Sequence, residues 1–347
     1  MYRKFYYATS AVALAMMCWS GYASAQSSVL LYGDVDAFVS AKKALGGQTA
    51  YSLGNGGATA SFWGVKGSED LGDGYKAVFE LESYFSVVNG SYGRFAGDGF
   101  FSRNAWVGLD TPYGRLVAGQ IGPLYWNATI FYNPFLNSFV FSPAVIHTYS
   151  AVNGQGVGGG GGEWSNALTY SSAPWRGWQL NAQYAFGGAA GEPGQNKWAG
   201  QIMYRGGPLS ANVTYQQLKF NSTPGDFAAT VPGLTTQSAV QAGATYDFGR
   251  FKLYGQYQYV MNAIAVAGYH VNFGQLGASI KVGVGSILLS DAFSKSGGAS
   301  DAVRNTWSVG YDYPLSVRTI VYAAVLGDHA SHYSSGHTIG AGIRTLF

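Results

Sequence analysis

The 347-residue chain has one cysteine, Cys18, so no disulfide can form within it and the fold must hold together without one. Charge is equally scarce. Asp, Glu, Lys and Arg make up 11% of the residues, against roughly 25% in ordinary soluble domains, too few to keep the surface of a large soluble protein wet. Neither sign dominates: 20 Lys and Arg face 17 Asp and Glu, and two of the basic residues, Arg3 and Lys4, stand at the extreme N-terminus. That balance gives no electrostatic case for a nucleic-acid partner. Long apolar runs are also missing. Past residue 25 no 18-residue apolar stretch exists, which excludes transmembrane helices. The nearest approach, Tyr125 to Ile146, is interrupted by Asn127, Asn133, Pro134, Asn137 and Pro143. Helical periodicity is absent from Val29 onward.

The first residues read differently from the rest. Arg3 and Lys4 precede an uncharged, largely apolar run from Ala11 to Trp19, followed by Ala23, Ser24 and Ala25. This pattern predicts a cleaved secretory signal peptide over residues 1–25, leaving one domain over 26–347. Cys18 lies inside the signal, and Met17 before it is bulky where a lipoprotein signal needs a small residue. No lipid anchor is expected.

What the chain does have is glycine (51), tyrosine (26) and strict alternation. Short alternating runs are separated by tight turns at residues 69–74, 110–114, 172–177, 206–207, 247–250, 282–285 and 313–316, each with Gly or Pro where a hairpin needs it. Longer polar or Gly-rich connections at 41–57, 86–99, 121–163, 187–196, 221–236, 262–268, 295–300 and 327–336 alternate with them. Short turns on one side and long loops on the other are the pattern of an up-and-down transmembrane barrel. The runs predict an all-β fold, a 16-stranded antiparallel transmembrane β-barrel.

Sidedness decides between that barrel and a soluble all-β protein, which shares period two. In Trp178–Phe186, Trp178, Leu180, Ala182, Tyr184 and Phe186 alternate with Gln179, Asn181, Gln183 and Ala185. Leu209, Ala211, Val213 and Tyr215 alternate with Ser210, Asn212, Thr214 and Gln216 in the same way. A soluble sandwich would carry Lys and Glu on its polar face; here that face is amides and hydroxyls. Trp178 and Phe186 would stand ~20 Å apart along the membrane normal at a ~40° tilt, near the ~25 Å apolar band between aromatic girdles. The apolar face is therefore expected to meet lipid.

The last strand, His337 to Phe347, places Ile339, Ala341, Ile343, Thr345 and Phe347 on one face and resembles the C-terminal signature of outer-membrane barrels. With LYGDVDAFV (Leu31–Val39), WGVKGSEDLGDGYKAVFELE (Trp63–Glu82), RNAWVGL (Arg103–Leu109) and YDFGRFKLYGQY (Tyr246–Tyr257), the chain resembles the Gram-negative general porins, the β-proteobacterial branch especially. The resemblance implies a homotrimer in the outer membrane, in contact with its lipid and lipopolysaccharide and inserted by the barrel-insertion machinery, with Phe347 as assembly signal. It implies a third loop folded into the lumen as a constriction, and passive diffusion of small hydrophilic solutes and ions. No cofactor is implied.

The family sets basic residues on the wall against acidic residues on that loop. Arg103 matches one wall position, and Lys66 projects inward by alternation. The second wall position corresponds to Phe62 and the third to Glu163. The acidic loop motif is missing, since Arg115 is the one charged residue between Asp110 and Glu163. The loop carries Tyr125, Trp126, Phe131, Tyr132, Phe135, Phe139, Phe141 and Tyr149 instead. Two readings stand: the rings line the constriction and select sugars or aromatic solutes, or they pack the loop onto the wall. Asp34, Asp36, Glu80 and Glu82 point inward by alternation, and either set selectivity or hydrogen-bond across the wall.

Other chemistry has thin support. His329, His332 and His337 share an external loop, with Asp328 the one nearby carboxylate and no recognised metal spacing. The glycines Gly158 to Gly162 have no following Lys or helix and read as a flexible loop root, not a phosphate cradle. A barrel hydrolase would need a serine motif near His147 or His270, and none is evident. No enzyme activity and no metal site are expected.

Overall fold

The computed structural model describes residues 28–150, 152, 156, 163–188, 196–219, 233–264, 268–298 and 301–347. The expected signal peptide and the run Gly158 to Gly162 lie outside them.

Alternating runs form strands between almost all of the expected turns. The first group is β1 (Ser28–Lys43), β2 (Thr49–Asn55), β3 (Phe62–Gly72), β4 (Tyr75–Tyr84), β5 (Asn104–Thr111) and β6 (Gly114–Ile121). Next come β7 (Trp164–Ser172), β8 (Trp178–Ala185), β9 (Lys197–Gly206), β10 (Leu209–Lys219), β11 (Leu234–Asp247) and β12 (Phe251–Ile264). The last are β13 (Tyr269–Val282), β14 (Gly285–Gly298), β15 (Ala302–Pro314), β16 (Thr319–Ala330) and β17 (Gly336–Leu346). Neighbours pair antiparallel, and β17 closes on β1 in a register from Asp34↔Leu346 to Lys43↔His337. The sheet thus closes on itself, the condition for spanning lipid, with β2 paired to β1 alone.

The barrel has 16 staves because β2 and β3 lie end to end beside β1. β2 falls within 41–57, which the sequence assigns to a loop. Between the two strands, residues 56–61 leave the ladder, and the carboxylate of Asp36 takes the place of their lost partners. It accepts the backbone N–H groups of Gly57 at 3.2 Å, Ala58 at 2.8 Å and Thr59 at 2.9 Å, and the hydroxyl of Tyr322. Buried backbone donors must be satisfied somewhere, and here one side chain satisfies three. Gly57 is fixed by close approach: a Cβ there would lie 2.2 Å from the Tyr322 hydroxyl and 2.8 Å from the Phe38 ring.

The barrel is inside out relative to a soluble protein. On β8, Trp178 and Leu180 are 48% and 56% exposed while Asn181 and Gln183 are 8% and 3% exposed. The alternation recurs along most strands, so the outer face is largely apolar and suits a bilayer, while polar side chains share the inside with apolar clusters such as that of Val117, Ile121, Leu124 and Trp164. Gly33 and Phe347 exchange backbone hydrogen bonds at 3.2 Å, with the Phe347 ring over Gly33 on the outer face.

Asp291 is an exception, an exposed carboxylate at the middle of β14 on the outer face, hydrogen-bonded by Asn305 at 3.2 Å. A charge within an apolar band is costly. Asp291→Leu should raise the unfolding transition of the barrel by about 1 kcal/mol, read from heat-modifiable migration. A lowered transition would show that this face meets a protein partner and not lipid.

Candidate functional site

The third loop folds inward as two short helices, α1 (Leu124–Phe131) and α2 (Pro143–Tyr149). A helix this short leaves most of its backbone donors and acceptors without partners of its own. The wall supplies them. Gln183 accepts the Leu124 N–H at 3.1 Å and donates to the Gly122 carbonyl. At the other end of α1, Gln256 donates to the carbonyls of Thr129 at 3.0 Å and Tyr132 at 3.3 Å, and Gln241 to that of Ala128 at 3.5 Å. These amides also bond to one another around the wall. Asn181 donates to Gln201, Gln201 to Thr214, Asn212 to Gln241, Gln258 to Gln256, Gln256 to Gln275 and Gln275 to Ser290.

The second helix is held by other groups on the same side. Ser142 caps its N-terminus, accepting from the Val145 N–H at 3.3 Å. Arg304, ion-paired with Asp328 at 2.8 Å, donates to the Ser150 carbonyl at 2.9 Å. The His147 ring lies between the hydroxyls of Ser294 at 3.0 Å and Thr306 at 2.8 Å, and Thr306 donates to Asp328. Burial, with the Arg304 charge second, holds the imidazole well below its ordinary pKa, so the ring is neutral. This chain of Ser, His, Thr and Asp has the composition of a catalytic relay, yet all four residues are buried and their hydrogen bonds hold α2 to the wall.

The tip of the loop crosses to the excursion between β2 and β3. Ser138 donates to the Gly57 carbonyl at 2.6 Å, and Asn137 to the Thr59 hydroxyl at 2.7 Å. Phe135 and Phe141 pack beneath it with Phe38, Leu288 and Tyr322. Asp36, through the excursion, thus fixes the tip of the loop. The loop is attached to β8–β16 along its length and to the excursion at its tip, so the passage runs between its free face and the wall of β1 and β3–β7, with Arg205 of β9 reaching over Phe131 on that free face.

The eight rings divide between these two sides. Tyr125, Tyr132, Phe135 and Phe141 are buried, and the Tyr125 hydroxyl donates to Gln258 at 3.2 Å. Phe131 and Phe139 are 49% and 42% exposed. Trp126 is half-buried, stacked on Phe139 with centroids 5.4 Å apart and edge-on to Tyr149 at 4.9 Å. The free face of α1 is therefore Trp126, Asn127, Ile130 and Phe131, without a charge.

The opposite wall is charged. Arg103 is ion-paired with Glu82, whose carboxylate also accepts from Asn104 and, at 2.7 Å, from the Tyr32 hydroxyl. Its guanidinium lies 3.9 Å over the Phe62 ring, and Lys66, beside Glu80 in the ladder, lies 4.5 Å over Tyr32. Above them Arg94 bridges Asp98 at 2.9 Å and Glu163 at 3.1 Å. Burial pushes the Glu163 carboxyl up to about 7, against the opposing pull of Arg94. Each pair has the same orientation. The side chains of Arg94 and Arg103 are 32% and 27% exposed, while Asp98, Glu163 and Glu82 are 8%, 7% and 2% exposed. At these pairs a solute in the passage meets the cations, with the half-buried Glu80 carboxylate beside Lys66 as the counterweight.

Asp34 and Asp36 do not join this surface. Asp34 is buried against Arg344 at 2.7 Å, and Asp36 is buried in the excursion. His329 bonds to Ser335 at 2.8 Å, and no cluster able to hold a metal occurs among the described residues. Sequence reasoning missed Arg94, Arg205 and the Arg304–Asp328 pair. The sequence puts Asp328 in the external connection 327–336, but β16 runs on to Ala330 and turns it inward, where Arg304 of the neighbouring strand meets it.

The sequence profile of the Gram-negative porins matches residues 8–331. Outer membrane porin protein 32 of Delftia acidovorans is 33% identical over 90% of this chain and 87% of that protein. An outer membrane porin protein of Bordetella pertussis is 28% identical over 95% of this chain and 97% of that protein. Among solved structures, the anion-selective porin from Comamonas acidovorans aligns with a TM-score of 0.77 at 27% identity, covering 93% of this chain and all of that one. A trimer form of OmpT from Vibrio cholerae aligns with a TM-score of 0.68 at 14% identity, over 92% and 99%, a likeness of fold alone. A profile match across most of the chain, on a closed barrel with a polar interior and an in-folded loop, places the protein in the Gram-negative porins, outer-membrane channels for passive diffusion of small hydrophilic solutes.

Proposed function

We propose that the channel is a homotrimer with a modest preference for anions, set by Arg103, Arg94 and Lys66 on one wall. The observation that carries this reading is the orientation of the ion pairs, guanidinium toward the passage and carboxylate away from it. The preference is modest because the facing loop bears no charge, so no transverse field is set up between opposed rows. The name of the Comamonas relative, an anion-selective porin, agrees in sign. Phe347, ending the outward row over Gly33, is the assembly signal in this reading, recognised by the insertion machinery.

Arg103→Gln should shift the reversal potential of reconstituted channels in a KCl gradient toward cations. An unchanged potential would place Arg103 outside the narrowest part of the pore.

Glu163 makes the preference depend on pH. Its folded-state value of about 7 lies above the ordinary 4.5, so the folded chain holds this proton more tightly than the unfolded chain. Its contribution to stability is complete below the ordinary value and is lost as pH rises through about 7. Below that pH Glu163 is neutral and Arg94 keeps only Asp98. Acidification from pH 8 to pH 6 should therefore increase anion preference, and Glu163→Gln should remove the step. A pH step of the same size in the glutamine variant would assign the titration to another group.

A further inference from the structure

We propose that the passage favours small carboxylates that carry an aromatic ring. This rests on the porin reading and narrows it to a solute class. The passage presents cations and rings together. Arg103 lies 3.9 Å over Phe62, Lys66 lies 4.5 Å over Tyr32, and Arg205 lies 5.7 Å over Phe131 on the loop. Lys66 and Arg205 are exposed, and the carboxylate that neutralises Arg103 is buried. The free face of α1, with Ile130 and Phe131, offers apolar and aromatic surface without charge.

Each class of solute uses a different part of this surface. A carboxylate takes N–H donors from a guanidinium edge, in the bidentate geometry that suits Arg. A planar ring adds contact with the guanidinium plane and with the loop's rings. Chloride uses only the charge, a sugar only the stacking surface, and acetate lacks the ring. An aromatic carboxylate uses both at once. The pairs are also staged along the pore. Lys66 is four residues beyond Phe62 on β3, ~10 Å along the axis at a ~40° tilt. Arg205 stands beside the tight turn that joins β9 to β10. Between the Arg103–Phe62 and Lys66–Tyr32 pairs, a solute of benzoate size leaving one comes within reach of the other, and weak contacts repeated in this way let it enter without being trapped.

The test uses purified full-length channel in planar bilayers, with sodium benzoate or sodium acetate gradients compared by reversal potential. Size alone makes acetate the more permeant ion. The proposal expects benzoate to exceed acetate by about three-fold, the scale of one exposed cation–π contact. Arg103→Lys keeps the charge but loses the planar face, and Phe131→Ala removes a half-exposed ring whose wall neighbour is the Arg205 guanidinium. Each should lower the benzoate-to-acetate ratio toward parity, whereas a general widening of the pore moves both ions alike. Acetate ahead of benzoate in the unmodified channel overturns the proposal, as does an undiminished benzoate advantage in both variants. Should one variant fail to assemble, the other decides. A chain that gives no ohmic channel even in KCl would refute the porin reading itself, a result distinct from a working channel with no benzoate advantage.

Discussion

Side-chain amides confined to the inside of a lipid-facing barrel must find hydrogen-bond partners there, and the architecture of the passage follows from that constraint. Lipid outside requires apolar residues on one face of every strand, which leaves Gln, Asn, Ser and Thr on the other. Gln183, Gln241 and Gln256 are buried, and a buried amide without a partner is expensive. The third loop answers this need and brings the reciprocal one, since α1 has backbone groups at both ends that its own length cannot satisfy. Wall and loop complete each other, which is why a loop without acidic residues still lies across the lumen.

Fixing the loop on one side makes the passage one-sided. Its free face contributes rings and aliphatic surface, while the wall of β3–β5 contributes charge. There the buried carboxylate of Glu82 is shared by Arg103, Tyr32 and Asn104. Sinking the carboxylates leaves the guanidinium groups partly exposed, so a lumen of nearly balanced charge presents a cationic surface. The sum of charges alone would not show it.

Much of the barrel was legible because both of its signals are local. Period two and turn chemistry placed the hairpins from β3 to β17, and the amide-rich face of β8 and β10 identified the inside. The stretch Thr49–Asn55 lies within 41–57, whose polar and Gly-rich composition reads as a loop. Only Asp36, thirteen or more residues away in sequence, explains how the stave resumes as β3. The candidate site was less legible. Alternation turned Asp34, Asp36 and Glu82 inward but could not tell a passage from a packed interior. That distinction depends on Arg344, Tyr322 and Asn104, contacts between distant segments. The eight loop rings likewise share one composition and two environments, divided by which face of α1 or the tip they occupy.

Held by the amides of β8, β11 and β12, the third loop should stay fixed to the wall while the channel conducts. Ala128→Cys paired with Gln241→Cys places two thiols where α1 meets β11, in a protein whose one natural cysteine, Cys18, lies in the expected signal peptide. Single-channel conductance measured before and after oxidation of this pair tests the claim directly. A fixed loop predicts that the disulfide forms readily and leaves conductance unchanged. Conductance that falls or rises on oxidation, and returns on reduction, would show that the loop moves during conduction and would contradict the account.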